Sequence, residues 1–290
     1  MKTPQLITDQ TLKSPILPTW CPGCGNFAIM SVVKRVLASL AVPEEDVVVV
    51  YGIGCGGNGA DFTRTYALHA LHGRAIANAV GIKLANHRLK VVVLAGDGDL
   101  YGEGLNHLVA SARGNHDITV IVHNNQMYSL TTGQSSPTTK QGTKTRSTPQ
   151  GVVETEINPL AVSLASGATF IARAYAGLAK QMTDMFTLAL NHQGFSIVDV
   201  LQPCPTFNKG MSYQWYQQRV YDLAHTGHDI NSRQDAMSLA WEEDKLPIGV
   251  IYQQSNSVPY HTQVPQLASQ TLIDQFPAQI NLTAGMQQFR

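Results

Sequence analysis

Two short runs carry residues suited to holding a charged ligand. GDGD, at Gly96, Asp97, Gly98 and Asp99, closes the apolar run KVVVLAG, and NNQMY, from Asn124 to Tyr128, closes the apolar run of DITVIVHNN. A hard cation such as Mg²⁺ takes about six oxygen ligands in a near-octahedral array, a few from the protein and the rest from phosphate and water. The Asp97 carboxylate, the Asn125 amide oxygen and one backbone carbonyl fit that need. The glycines flanking Asp97 let a diphosphate approach the backbone, and the N-terminus of the following helix favours its charge.

Either run alone reads as an ordinary strand-to-helix turn. Together, at the ends of successive strands, they match the thiamine-diphosphate motif, in which GDG is followed one crossover later by Asn. In an open parallel sheet, ligands bind at the carboxyl ends of the strands, so Asp97 and Asn125 are expected to project into one crevice.

The four cysteines form a second constellation: Cys21 and Cys24 in CPGC, Cys55 in GIGCGG and Cys204 in QPCPTFN. Four thiolates suit zinc or an iron–sulfur cluster, and the spacing does not separate them. Taken singly, Cys55 and Cys204 read as small buried hydrophobes. Both nevertheless end apolar strands, as Asp97 and Asn125 do, so a four-sulfur site is expected on the same sheet edge as the diphosphate site. A redox cluster has a chemical purpose there that zinc lacks.

Gly52, Gly54 and Gly57 around Cys55 have the spacing of a dinucleotide fingerprint. A nicotinamide-dependent dehydrogenase would need an acidic residue about twenty positions further on to hold the ribose. From Phe62 to Gly96 there is no Asp or Glu. A zinc-stabilised interaction module is a second alternative, and it leaves the pairing of GDGD with Asn125 unexplained.

The elements that must position these residues alternate along the chain. Asn26 is placed to cap a helix through FAIMSVVKRVLASLA, ended by Pro43. DVVVVYGIG reads as a buried strand, residues 65–87 as helical, KVVVLAG as a strand, EGLNHLVASARGN as a crossover helix ending near Gly114, and DITVIVHNN as a strand. NPLAVSLASG, ATFIARAY, AGLAKQMTDMFTLALNH and FSIVDVLQPC continue the pattern. The expected fold is α/β, a doubly wound, mainly parallel sheet with helices on both faces. The boundaries expected are a ligand-binding domain over 1–214, a Thr/Ser/Gly-rich loop over 131–157 that is either disordered or an active-site loop, and a C-terminal extension over 215–290 packed on the domain or a partner.

The 290 residues are 43% hydrophobic with zero formal net charge, so no broad field argues for nucleic acid or a membrane surface as partner. The N-terminus lacks an apolar signal core, and no window approaches the about 18 apolar residues of a membrane span. A cytoplasmic, reducing setting is expected, where cysteines are ligands or buried groups more often than disulfides.

WCPGCGN, GIGCGGN, LHGRA, GDGD and NNQMYSLTTGQSSPTT resemble the β subunit of 2-oxoacid:ferredoxin oxidoreductases, over residues 20 to about 210. GHD at 227–229 and KLPIGVIYQ also look like the 2-oxoglutarate branch. The resemblance implies that Cys21, Cys24, Cys55 and Cys204 bind one [4Fe–4S] cluster, and that Asp97, Asn125 and the Met127 carbonyl bind Mg²⁺. It implies that Ile53, Gly54, Cys55, Gly56, His72, Gly98, Asp99, Ser129 and Leu130 line thiamine diphosphate, with His72 as the catalytic candidate. The activity implied is conversion of a 2-oxoacid and coenzyme A to an acyl-CoA, CO2 and reduced ferredoxin, potentially reversible. 2-Oxoglutarate is favoured over pyruvate or branched-chain oxoacids.

No second sheet long enough to hold the aminopyrimidine ring is visible, so an α subunit is expected to supply that half and its acid, in an (αβ)2 assembly. Two positions depart from the family. Many relatives carry CPGCGH where this chain has Asn26, and some carry Lys or Arg where it has Asn58, which bears on substrate choice.

Overall fold

The computed structural model describes residues 5–242, 244–275 and 282–288. Its strands are β1 (Val47–Tyr51), β2 (Tyr66–His69), β3 (Lys90–Gly96), β4 (Thr119–Asn124), β5 (Met127–Tyr128), β6 (Gln134–Ser135), β7 (Phe170–Tyr175), β8 (Ser196–Leu201), β9 (Val220–Asp222) and β10 (Leu246–Gln253). The α-helices are α1 (Gly25–Ser39), α2 (Gly59–Phe62), α3 (Ala75–Ala85), α4 (Leu105–Gly114), α5 (Pro159–Ala165), α6 (Ala179–Asn191), α7 (Tyr213–Gln217) and α8 (Arg233–Ala240), followed by short turns of helix, and a π-helical turn over Gly98–Glu103 leads from β3 into α4.

Eight strands form one sheet in the order β2-β1-β3-β4-β8-β7-β10-β9. From β2 to β7 every neighbouring pair is parallel. Parallel strands are covered on both faces, which is why these runs are nearly continuous Val, Ile and Leu rather than alternating. β4, β7 and β8 are buried at every position. Helices α1 and α6 pack together on one face, and α3, α4, α5 and α8 follow one another across the other. Each face has its own apolar core. Fully burying a Val, Leu or Ile side chain contributes roughly 1.5–3 kcal/mol, so the two cores make the sheet a rigid platform.

Several expectations need correction. Residues 65–87 are not one helix. Tyr66–His69 instead pairs with β1 as an edge strand exposed along its length, and the helix begins only at Ala75. Asn26 is not a cap either: α1 starts at Gly25 behind Cys24, without a side-chain cap, and Asn26 is buried at 1% exposure. The same helix stops at Ser39, before Pro43, and Ala41 adopts a φ of +52°.

The described chain after Trp215 supplies two further strands. β10 pairs antiparallel with β7, and β9 pairs parallel with β10, so both extend the main sheet. Residues 243, 276–281 and 289–290 of the expected extension lie outside the described residues. Among the described residues, β5–β6 is a two-stranded ribbon apart from the main sheet, and no helix is long and apolar enough to cross a membrane.

Candidate active site

Four neighbouring parallel strands, β1, β3, β4 and β8, open their carboxyl ends on one edge. The residues that follow them are Cys55, Asp97, Asn125 and Cys204 in turn, so the topology alone gathers the predicted groups. Ile53, Gly54, Cys55, Gly56, His72, Asp97, Gly98, Asp99, Asn125, Met127, Ser129 and Leu130 all border one cavity of about 90 Å³. The metal and cofactor residues predicted there are thus brought together.

Close approach explains the glycines. A Cβ on Gly98 would enter the Tyr128 ring, and one on Gly57 would collide with the Gly52 carbonyl. Gly54 holds a φ of +122°, a region L side chains rarely adopt. GIGCGG is therefore a turn folded back on its own backbone, with room left on the cavity side of Gly54.

Asp97 is 1% exposed. Its Oδ2 accepts from Ser136 Oγ and Thr138 Oγ1, both at 2.6 Å, while Oδ1 has a single long contact of 3.3 Å from the Asn125 N–H. Burial pushes its pKa up to about 6, against the lowering by the two hydroxyls and the Asn125 N–H. One oxygen is thus pinned and the other faces the cavity with lone pairs to spare. Asn125 Oδ1 accepts from Met127 N–H at 3.0 Å and Ser129 Oγ at 3.4 Å, which aims the amide at the same space. Asp97 and Asn125 thus bring a carboxylate and an amide, groups of the kind a hard cation takes, to one cavity.

Ser136 and Thr138 come from the 131–157 loop, whose chemistry the sequence leaves open. The loop folds on itself through Gly142 N–H to Val152 O and Ile157 N–H to Pro137 O, and Gly133 N–H ties it back to Tyr128 O of β5. Ser136, Thr138 and Thr139 are buried. The run SSPTT belongs to the family-like stretch, but no local pattern links its hydroxyls to Asp97.

Asp99 ties three segments together. Its Oδ1 accepts from the Ile53 N–H at 3.1 Å, the Gly73 N–H at 2.8 Å and lies 2.9 Å from His72 Nδ1. Its Oδ2 is buried with no hydrogen-bond partner in the protein. Burial raises the pKa of Asp99, opposed by those N–H groups and by His72. His72, at 40% side-chain exposure, also lies 3.3 Å from Glu103 Oε2, and Tyr128 OH donates to the same carboxylate at 3.1 Å. His72 and Asp99 thus border the cavity, with Glu103 in contact with the same imidazole nitrogen.

All four cysteines border a second cavity of about 180 Å³. Cys55, Asn125, Ser129 and Leu130 line both cavities and form the wall between them. The cysteines are free thiols, with Cys204 buried and the others half-buried. Burial pushes the Cys55 thiol up to about 12, and the other three cysteines add to the rise. Trp20 Nε1 donates to the Cys55 carbonyl at 2.6 Å, and the ring packs edge-on against Phe27 and Phe62. Among the described residues, no three His, Cys, Asp or Glu side chains close on a single ion. The thiols are instead spread around a space.

A buried polar group that the sequence does not reveal lies beside this wall. Asn26 Oδ1 is 2.7 Å from His123 Nδ1 and accepts from Gln202 Nε2 at 2.9 Å. Burial lowers the His123 pKa to about 4, so the imidazole is neutral at physiological pH.

Comparison with known proteins gives the family. The family model of the thiamine pyrophosphate enzyme C-terminal TPP-binding domain matches residues 52–200, and the model of the C-terminal part of the pyruvate ferredoxin oxidoreductase β subunit matches 204–269. The 2-oxoacid:ferredoxin oxidoreductase subunit β of Saccharolobus solfataricus is 42% identical over 89% of each chain. The 2-oxoglutarate oxidoreductase subunit KorB of Mycobacterium tuberculosis is 38% identical over 71% of this chain and 56% of its own. A 2-oxoglutarate:ferredoxin oxidoreductase from Magnetococcus marinus, solved with 2-oxoglutarate, coenzyme A and succinyl-CoA bound, superposes with a TM-score of 0.87 at 34% identity, covering 98% of this chain and 96% of that one. With a diphosphate-type site on the edge of its sheet and relatives matched over nearly its whole length, the chain belongs to the β subunits of the thiamine-dependent 2-oxoacid:ferredoxin oxidoreductases.

Proposed function

We propose that this chain, with an α subunit, converts 2-oxoglutarate and coenzyme A to succinyl-CoA and CO2 and passes the electrons released to ferredoxin. The observation that carries the reading is the common wall. The cavity bordered by Asp97 and Asn125 and the cavity bordered by four cysteines share Cys55, Asn125, Ser129 and Leu130. Carbon chemistry on one side and electron removal on the other need that adjacency.

Asp97, Asn125 and the Met127 carbonyl would hold Mg²⁺, and the turns at Gly54 and Gly98 would admit the diphosphate. Cys21, Cys24, Cys55 and Cys204 would hold a [4Fe–4S] cluster, since thiols spread around a cavity of about 180 Å³ suit a polyatomic group. When bound, thiamine diphosphate supplies the electron sink for decarboxylation and the cluster a one-electron path outward. Ser136 and Thr138 fix the Asp97 carboxylate. Asp99 fixes His72 through Nδ1, which leaves Nε2 as the ring atom that would take or return a proton at the cavity. Cytoplasmic placement fits four unpaired thiols. The partner chain would supply the pyrimidine half of the cofactor site, in an (αβ)2 assembly.

Support for 2-oxoglutarate comes from the Magnetococcus marinus enzyme and the KorB relatives. The family model over 204–269 is named for the pyruvate enzyme, so pyruvate is the second reading. Anaerobic assay of the co-expressed complex, with each oxoacid, coenzyme A and a low-potential acceptor, separates them. Turnover with 2-oxoglutarate is expected to exceed that with pyruvate at least tenfold in kcat/KM, about 1.4 kcal/mol in transition-state binding. Faster turnover of pyruvate would overturn the substrate assignment.

A further inference from the structure

We propose that Gln202 sets the reduction potential of the four-cysteine site by donating a hydrogen bond to Cys24 Sγ, and that Asn26 and His123 hold it there from the thiamine side. The inference rests on the cluster reading. Gln202 follows β8 and is 1% exposed. Its Nε2 lies 3.5 Å from Cys24 Sγ and 2.9 Å from Asn26 Oδ1, so its two amide protons have one acceptor each. Asn26 Oδ1 in turn lies 2.7 Å from His123 Nδ1, and the His123 ring borders the thiamine cavity. A line of hydrogen bonds therefore runs from that cavity to a cluster ligand.

The direction of each bond follows from the charge on sulfur. If the Gln202 amide were turned over, its carbonyl oxygen would face a cysteine thiolate, two acceptors in contact. With a thiolate at Cys24 the amide must present N–H. Asn26 then presents its oxygen to Gln202, and His123 must carry its proton on Nδ1 to bond that oxygen. The chain makes room for this arrangement. A Cβ on Gly25, directly after Cys24, would come within 2.6 Å of Gln202 Cγ, and one on Gly56, directly after Cys55, within 2.9 Å of His123 Nδ1. The glycines beside two cluster cysteines are thus explained by what packs on them, and neither needs a special backbone angle.

Hydrogen bonds to cluster sulfurs favour the reduced, more negative state and raise the potential. Ser129 Oγ also approaches a cysteine, Cys204 Sγ at 3.3 Å, but it lines the thiamine cavity and contacts Asn125, so its replacement would not separate the two roles. Gln202 borders the cysteine cavity and is not among the residues bordering the thiamine one.

The test is a redox titration of the anaerobically purified complex, followed by electron paramagnetic resonance of the reduced cluster, with iron and sulfide measured on the same samples. In Gln202→Met the iron content is expected to be unchanged, and the midpoint to fall by about tenfold in the reduction equilibrium, ~59 mV for one electron. Asn26→Ala, which leaves the donor but removes its anchor, should shift the midpoint in the same direction by less, and it decides the question if Gln202→Met fails to assemble. Full iron with an unmoved midpoint in an assembled variant overturns the proposal while leaving the cluster reading intact. An iron-free unmodified complex overturns both.

Discussion

In the Asp97→Asn variant, thiamine diphosphate with Mg²⁺ is expected to give no thermal stabilisation, and the complex to have no detectable 2-oxoacid turnover. The substitution keeps the shape of the side chain and an oxygen for Ser136 and Thr138, so the fold should survive. It removes the charge that a divalent cation needs and leaves the other position as an amide in space built for a metal-facing oxygen. A ligand that binds only the folded protein at about 100 times its Kd stabilises by about 2.7 kcal/mol, so the unmodified chain has a clear shift to lose. Thr138→Val should give a graded result. Of the two Asp97 oxygens the hydroxyl reaches the far one, at 2.6 Å, and its other contacts are longer ones to Ser136 and Asn124. Losing an outer partner of this kind weakens metal affinity by roughly 10–100-fold without abolishing it. Equal stabilisation of the unmodified chain and the Asp97→Asn variant by the cofactor would exclude Asp97 as its anchor.

The second large effect is expected at Cys55, the cysteine in the wall shared by the two cavities. Cys55→Ala should lose the cluster and the reduction of ferredoxin, yet retain most of the thermal stabilisation by thiamine diphosphate and Mg²⁺, whose holding groups follow β3 and β4. That split separates a ligand of the cluster from a residue that merely shapes the turn. Ala is small enough for the site, and Trp20 still has the main-chain carbonyl of residue 55 to donate to, so gross unfolding is not the expected route of loss. Iron content and cofactor-induced melting shift, measured on one preparation, read both halves. A variant with full iron and normal turnover would show that the turn does not reach a cluster.

The parts of this molecule that are legible in the sequence are those governed by local rules. Runs such as Val47–Val50 and Val91–Leu94 are too apolar and too β-branched for anything but buried strands, and the ends of buried parallel strands are where ligand groups collect. That is why Asp97, Asn125, Cys55 and Cys204 can be placed on one edge before the fold is known. Local reading fails where distant partners overrule it. Tyr66–His69 looks helical beside the sequence that follows, but β1 offers an unpaired edge and takes it as a strand. Asn26 stands where a cap belongs, yet His123 and Gln202, far along the chain, draw its side chain inward. Ser136 and Thr138 sit in a loop whose composition suggests only disorder or function. Their purpose depends on a carboxylate about forty positions earlier, a distance at which no periodicity speaks.

The apolar strength of β10 is also hidden. LPIGVIYQ stands out as a family-like run, but the polar segments around it obscure that it extends the sheet against β7. Strand pairing, unlike helix periodicity, is settled by what lies alongside, and that information enters only with the fold.

On this reading, one turn of the chain, around Cys55, stands between a thiamine site and a redox cluster. The most direct measurement is the content of iron, acid-labile sulfide and thiamine diphosphate in the anaerobically purified complex of this chain with its partner. The expected result is about four irons, about four sulfides and about one thiamine diphosphate per β chain, the contents of one [4Fe–4S] cluster and one cofactor. Less than about one iron per chain, or zinc in its place, would contradict it.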